Sequence, residues 1–134
     1  NRRRLLERME YAGKERENGA FCPLSGNDQL IIWTLLAGGT GGIAGCANVY
    51  PHTMASIYNL FMEGKIEEAK EANKSIQSFR ACFKYGNPNT IVKTAVRLLG
   101  HDVGPCRAPF NQVPEEGIKA LKKVLAENEA KGMH

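Results

Sequence analysis

The sequence reads as an α/β protein whose sheet is incomplete, and three observations carry that reading. Helical apolar spacings alternate with two short apolar runs as far as Tyr50, an order that implies parallel strands. From Pro51 onward the pattern is helical only. Between these regions lies the stretch Gly38 to Pro51, GGTGGIAGCANVYP, with five glycines from Gly38 to Gly45. That density lets backbone approach backbone closely.

Residues Arg2 to Tyr11 place Leu5, Leu6, Met9 and Ala12 at helical spacing, with Gly13 as a stop and Lys14 to Asn18 as a charged loop. Ala20 to Leu24 is a short apolar run bounded by Gly19 and Ser25-Gly26-Asn27-Asp28, which suits a buried strand ending in a polar turn. Asp28 is then expected to cap a helix through Leu30, Ile31, Ile32, Trp33, Leu35 and Leu36, a segment apolar almost all round and so covered on most sides. Gly38 and Gly39 stop it. Gly39, Gly41 and Ala44 do fit G-x-G-x-x-A, but a dinucleotide-binding loop follows a strand and opens a helix, whereas this run follows a helix. The stretch is better read as a short buried strand from Gly42 to Cys46, followed by a loop into a helix at Pro51.

Met54, Ile57, Tyr58 and Phe61 give that helix its apolar stripe, and Gly64 ends it. One long helix is expected from Ile66 to Tyr85, with Ala69, Ala72, Ile76, Phe79 and Phe83 inward and Glu67, Lys70, Glu71 and Lys74 outward. Gly86-Asn87-Pro88 breaks it, Ile91 to Leu99 forms a short helix, and Gly100 to Val113 is an irregular connection. The last helix runs from Glu115 to about Lys131, with Ile118, Leu121, Val124 and Leu125 inward and acidic residues in its first turn. Two strands cannot make a self-sufficient parallel sheet covered on both faces. Further strands are expected before Asn1 or from another chain.

With 43% apolar and 24% charged residues, the composition is that of an ordinary globular domain rather than a disordered chain. No apolar run reaches the roughly 18 residues of a membrane span. The formal charge of +4 comes with one dense basic run, Arg2 to Arg4, and the other cations are interspersed with Glu, so nucleic acid is not an expected partner. Cys22, Cys46, Cys82 and Cys106 lie far apart, without C-x-x-C or a histidine at ligand spacing, and read as reduced thiols in a cytoplasmic protein with no metal. Cys46 reads as a small buried hydrophobe. His52 and His101 read as isolated residues.

Ser25-Gly26-Asn27-Asp28, the helix ending Ala37-Gly38-Gly39, then Gly41-Gly42-Ile43-Ala44 and Asn48 together resemble the C-terminal portion of the dihydrodipicolinate synthase and N-acetylneuraminate lyase family of pyruvate-dependent class I aldolases. Glu63-Gly64 before a long helix, Asn87-Pro88 before the next and Arg107-Ala108-Pro109 before the last extend the likeness over nearly the whole chain. The resemblance implies the C-terminal part of a TIM barrel, with strands seven and eight and their helices in residues 1–62 and a helical C-terminal extension in residues 63–134. It also implies a homotetramer.

In that family a lysine on strand six forms a Schiff base with pyruvate and a tyrosine on strand five relays protons, so the resemblance puts both before Asn1 and leaves no catalytic residue in this chain. The lysines present, among them Lys65, Lys70, Lys93 and Lys119, fall on helices or loops with charged neighbours, unlike a desolvated amine at a strand end. By family position Ile43 presents its backbone carbonyl to the keto acid while its side chain packs. Gly26, Asn27 and Asp28 face the second substrate, with the alternative that Asn27 and Asp28 only form a turn and helix cap. Gly45 stands where sialic acid lyases carry a serine. The implied function is that of part of an aldolase or lyase acting, without a cofactor, on pyruvate and a small aldehyde or 2-keto-3-deoxy sugar acid, completed by an N-terminal barrel half. A non-catalytic helical assembly module is the competing reading, motivated by the apolar helix at Leu30 to Leu36 and the late helices.

Overall fold

A computed structural model describes residues 22–134. The expected first helix and charged loop lie outside the described residues, as do the first two residues of the expected strand. The described chain groups into two compact units, residues through Ala44 with Ser56–Lys74, and Gly45–Ala55 with Ser75–His134.

The first unit holds a two-stranded parallel sheet, β1 (Leu24–Ser25) and β2 (Gly41–Gly42), with Leu24 opposite Gly41 and Ser25 opposite Gly42. Parallel strands need a crossover, and here it is a 3₁₀ turn, Asp28–Leu30, leading into α1 (Ile31–Leu36). Ile31, Ile32 and Leu35 of α1 are buried, while Trp33 and Leu36 stay partly exposed, so the helix is covered on one side rather than most. Its end is a Schellman motif: Gly38, at φ 85°, donates to the Leu35 carbonyl at 3.0 Å and Gly39 to the Thr34 carbonyl at 2.8 Å. A side chain at Gly38 would strain that left-handed turn.

The second strand is shorter than the expected Gly42 to Cys46. Pairing stops after Gly42, and Gly45–Asn48 forms a 3₁₀ turn in the second unit, closed by Asn48 Nδ2 donating to the Gly45 carbonyl at 3.0 Å. Cys46 is fully buried, as a small hydrophobe should be, but from this turn rather than from a strand. Next come α2 (Pro51–Met62) and α3 (Ile66–Ser75). The expected continuous helix to Tyr85 is divided into α3, α4 (Gln77–Arg80) and a 3₁₀ turn, Ala81–Tyr85. The Ser78 hydroxyl lies 3.2 Å from the Ser75 carbonyl and 3.0 Å from Asn128 Oδ1, and shares its hydrogen between them.

The second unit is helical. Asn87 caps α5 (Pro88–Leu98) by accepting from the Asn89 amide at 3.0 Å, with Pro88 in the first turn, where no amide hydrogen is required. Lys93 Nζ donates to the carbonyls of Val103 and Pro105, at 3.2 and 3.4 Å, and so holds the irregular connection against α5. In α6 (Glu115–Glu129), Leu121 and Leu125 are buried and Ile118 and Val124 partly so. Phe79 is fully buried and meets Tyr50 edge-on at 5.5 Å and Phe83 at 5.8 Å.

Candidate functional site

The residues expected to frame a substrate meet where the two strands end. The last backbone bond of the ladder runs from the Ile43 amide to the Ser25 carbonyl at 2.7 Å. In this parallel register the next rung would carry the Asn27 amide to the Ile43 carbonyl. It is pre-empted, because the Asn27 amide donates to Ser25 Oγ at 3.1 Å while that hydroxyl donates to the Asn27 carbonyl at 2.9 Å. One buried hydroxyl thus closes Asn27 into a local turn and leaves the Ile43 carbonyl outside the ladder.

Ile43 was expected to pack its side chain, yet that side chain is 73% exposed. Alternation along a strand explains the difference. A Cβ on Gly42 would lie 2.6 Å from Ile31 Cγ1 and 3.1 Å from the Ser25 carbonyl, so position 42 faces α1 and position 43 faces away. Gly42 is therefore a close contact between sheet and helix.

The turn after β1 is braced from α3. Asn27, rather than the expected Asp28, supplies the cap, its Oδ1 accepting from the Gln29 amide at 3.0 Å. Asp28 is buried, and its carbonyl accepts from Asn73 Nδ2 at 3.2 Å. Asn73 Oδ1 accepts from the Ile32 amide at 3.1 Å. Asp28 and Ile32 are four residues apart, the spacing of an α-helical backbone bond. The Asn73 carboxamide is spliced into that bond, and the turn it opens is the 3₁₀ segment that precedes α1, where Leu30 donates to the Asn27 carbonyl at 2.9 Å.

Gly26, Asn27, Asp28 and Ile43 are thus brought to one end of one sheet, with Gly26 and Asn27 exposed. Gly45 belongs to the other unit, at the start of its 3₁₀ turn, and is exposed. Ser25 entered the sequence reading only as part of the Ser25-Gly26-Asn27-Asp28 motif, and Asn73 was not singled out. A signal existed for Asn73, since it sits one turn after Ala69 and three residues before Ile76, a polar residue on an apolar stripe. Among the described residues no group of three or more His, Cys, Asp or Glu side chains could hold a metal. His52 is not isolated: its ring lies 4.9 Å from that of His134, because the last residues fold back and the Thr53 amide donates to the His134 carbonyl at 2.9 Å.

Three of the lysines weighed above sit in surface ion pairs. Lys65 pairs with Glu63 at 2.8 Å, Lys70 with Glu67 at 2.7 Å and Lys119 with Glu115 at 2.8 Å. The bond from Glu63, then its charge and that of Glu68, raise the Lys65 ammonium above its ordinary value, the opposite of what an attacking amine requires. In the second unit, burial pushes the Tyr50 hydroxyl upward, opposed by the hydrogen bond it accepts from Asn128 Nδ2 at 2.9 Å. Burial likewise raises the Cys82 thiol, opposed by Lys84.

Comparison with known proteins places the chain in a family. The dihydrodipicolinate synthetase family model matches residues 6–128, and the chain belongs to that family. A 4-hydroxy-tetrahydrodipicolinate synthase of Methanospirillum hungatei is 37% identical over 107 residues, 79% of this chain and 36% of the relative. The chain therefore spans little more than a third of the length of that relative. Among solved structures, a monomeric dihydrodipicolinate synthase variant superposes over the whole chain and 43% of its own length, with a TM-score of 0.87 at 24% identity. A 2-keto-3-deoxygluconate aldolase from Sulfolobus, solved with D-KDPG, gives a TM-score of 0.76 at 25% identity over 87% of this chain and 40% of its own. The described elements have the fold of part of such a protein.

Proposed function

We propose that the chain is the C-terminal portion of a Schiff-base, pyruvate-dependent aldolase or lyase acting on pyruvate and a small aldehyde or 2-keto-3-deoxy sugar acid. In this reading β1 and β2 are barrel strands seven and eight, residues 1–62 are barrel βα units, and residues 63–134 are a helical extension. The observation that carries it is the strand end itself. A backbone carbonyl at Ile43 stands off the ladder beside the Gly26-Asn27-Asp28 turn, at the C-terminal end of parallel strands, where barrel enzymes place their chemistry.

A lysine amine preceding Asn1 attacks the pyruvate ketone and, with loss of water, forms an iminium that draws electrons from the neighbouring carbon; that carbon loses a proton and adds to an aldehyde. The reverse sequence cleaves a sugar acid. This chain frames the reaction. The Ile43 carbonyl accepts a hydrogen bond from the keto acid or the amine, and the Gly26–Asp28 turn faces the second substrate. The absence of a serine at Gly45 favours substrates other than sialic acid. The scattered cysteines accord with a cytoplasmic location, and the family resemblance with a homotetramer and an N-terminal barrel half as partners.

The test is to incubate the full-length polypeptide with pyruvate and borohydride and weigh it. Reduction of an iminium adds a pyruvyl-derived mass to one lysine preceding Asn1, and an unchanged mass overturns the reading.

A further inference from the structure

We propose that Ser25 is a positioning residue that keeps the Ile43 carbonyl available to the substrate by withholding the one backbone donor that would otherwise capture it. The inference rests on the reading that this carbonyl faces the keto acid. Its own evidence is the hydrogen-bond pattern at the strand end. The register of β1 and β2 aims the Asn27 amide at the Ile43 carbonyl. The Ser25 hydroxyl takes that amide at 3.1 Å and returns its own hydrogen to the Asn27 carbonyl at 2.9 Å. Both polar groups of Asn27 are satisfied two residues away, so the turn closes without using Ile43. Ser25 is 5% exposed. It acts through Asn27.

The arrangement has a signature that a purely structural serine lacks. In Ser25→Ala the Asn27 amide loses its acceptor and turns to the only one the ladder offers, so the next rung forms. A hydrogen bond is exchanged rather than lost, and stability is kept while function falls. In Ser25→Thr the hydroxyl survives, and so does the turn.

Three measurements on the full-length protein decide the matter. Borohydride trapping on the unsubstituted protein comes first, and its failure overturns the parent reading rather than this one. With trapping established, Ser25→Ala is expected to lower kcat/KM for pyruvate about tenfold, the effect of one lost hydrogen bond, without lowering the melting temperature, and Ser25→Thr to restore most of the activity. A crystal structure of Ser25→Ala is expected to place the Asn27 nitrogen within about 3.2 Å of the Ile43 oxygen. Unchanged kinetics in Ser25→Ala, a loss of activity that only tracks a fall in melting temperature, or an unfilled rung in the crystal each overturn the proposal. So does failure of Ser25→Ala to fold, because the new rung should compensate for the hydroxyl.

Discussion

Two residues show how little freedom single positions have here. Gly42 has no room for a methyl group, since a Cβ there would press on Ile31 from 2.6 Å and on the Ser25 carbonyl from 3.1 Å. Gly42→Ala should therefore cost about 1–3 kcal/mol of unfolding free energy through overpacking, measurable by urea denaturation, and should shift the strand that carries Ile43. Tyr50 is the second case. Burial raises its hydroxyl above the ordinary 10.0, so the folded state binds the proton more tightly than the unfolded one. That contribution to stability is full below pH 10.0 and is lost as pH rises through the folded value. Tyr50→Phe removes the titration but strands Asn128 Nδ2. The variant should be less stable near neutrality, by about 1–3 kcal/mol, and should show a shallower alkaline decline, as thermal melts from pH 8 to about 11 would show.

At the level of elements, what the sequence made legible follows from which forces act locally. The helices at Pro51 and Glu115, the stops at Gly38 and Gly64 and the Asn87-Pro88 start were all legible, because periodicity, capping and left-handed turns are written in neighbouring residues. Side-chain bonds between residues far apart in sequence were not legible. The long helix to Tyr85 is divided where Ser78 answers to both Ser75 and Asn128, and the start of α1 is shaped by Asn73, 41 residues beyond Ile32. Gly26, Asn27, Asp28 and Ile43 became candidates through family resemblance alone, and the bonds that pose them were not legible at all. Asn73 offers an element-scale test. Asn73→Ala lets Asp28 and Ile32 close their own helical bond, whereas Asn73→Leu holds them apart and satisfies neither. Leu should therefore destabilise more than Ala in chemical denaturation, by about 1–2 kcal/mol. Equal losses would mean that the spliced bond carries no weight.

At the scale of the molecule, on the proposed reading the two-residue parallel pair, with Leu24 at 52% and Ile43 at 73% exposure, is part of a larger sheet. On that reading the 134-residue chain alone should gain no mass from pyruvate and borohydride and the full-length protein should; an adduct on the shorter chain would relocate the nucleophile to one of its own lysines. The second unit carries a different consequence, one for synthesis on the ribosome. The Tyr50 hydroxyl takes its hydrogen bond from Asn128, 78 residues later. At about 5–20 residues per second, Tyr50 waits roughly 4–16 s for that amide to be made. Until then the Tyr50 hydroxyl lacks the amide that satisfies it, and a ribosome stalled before Asn128 would hold the second unit without its last helix, open to proteases and chaperones.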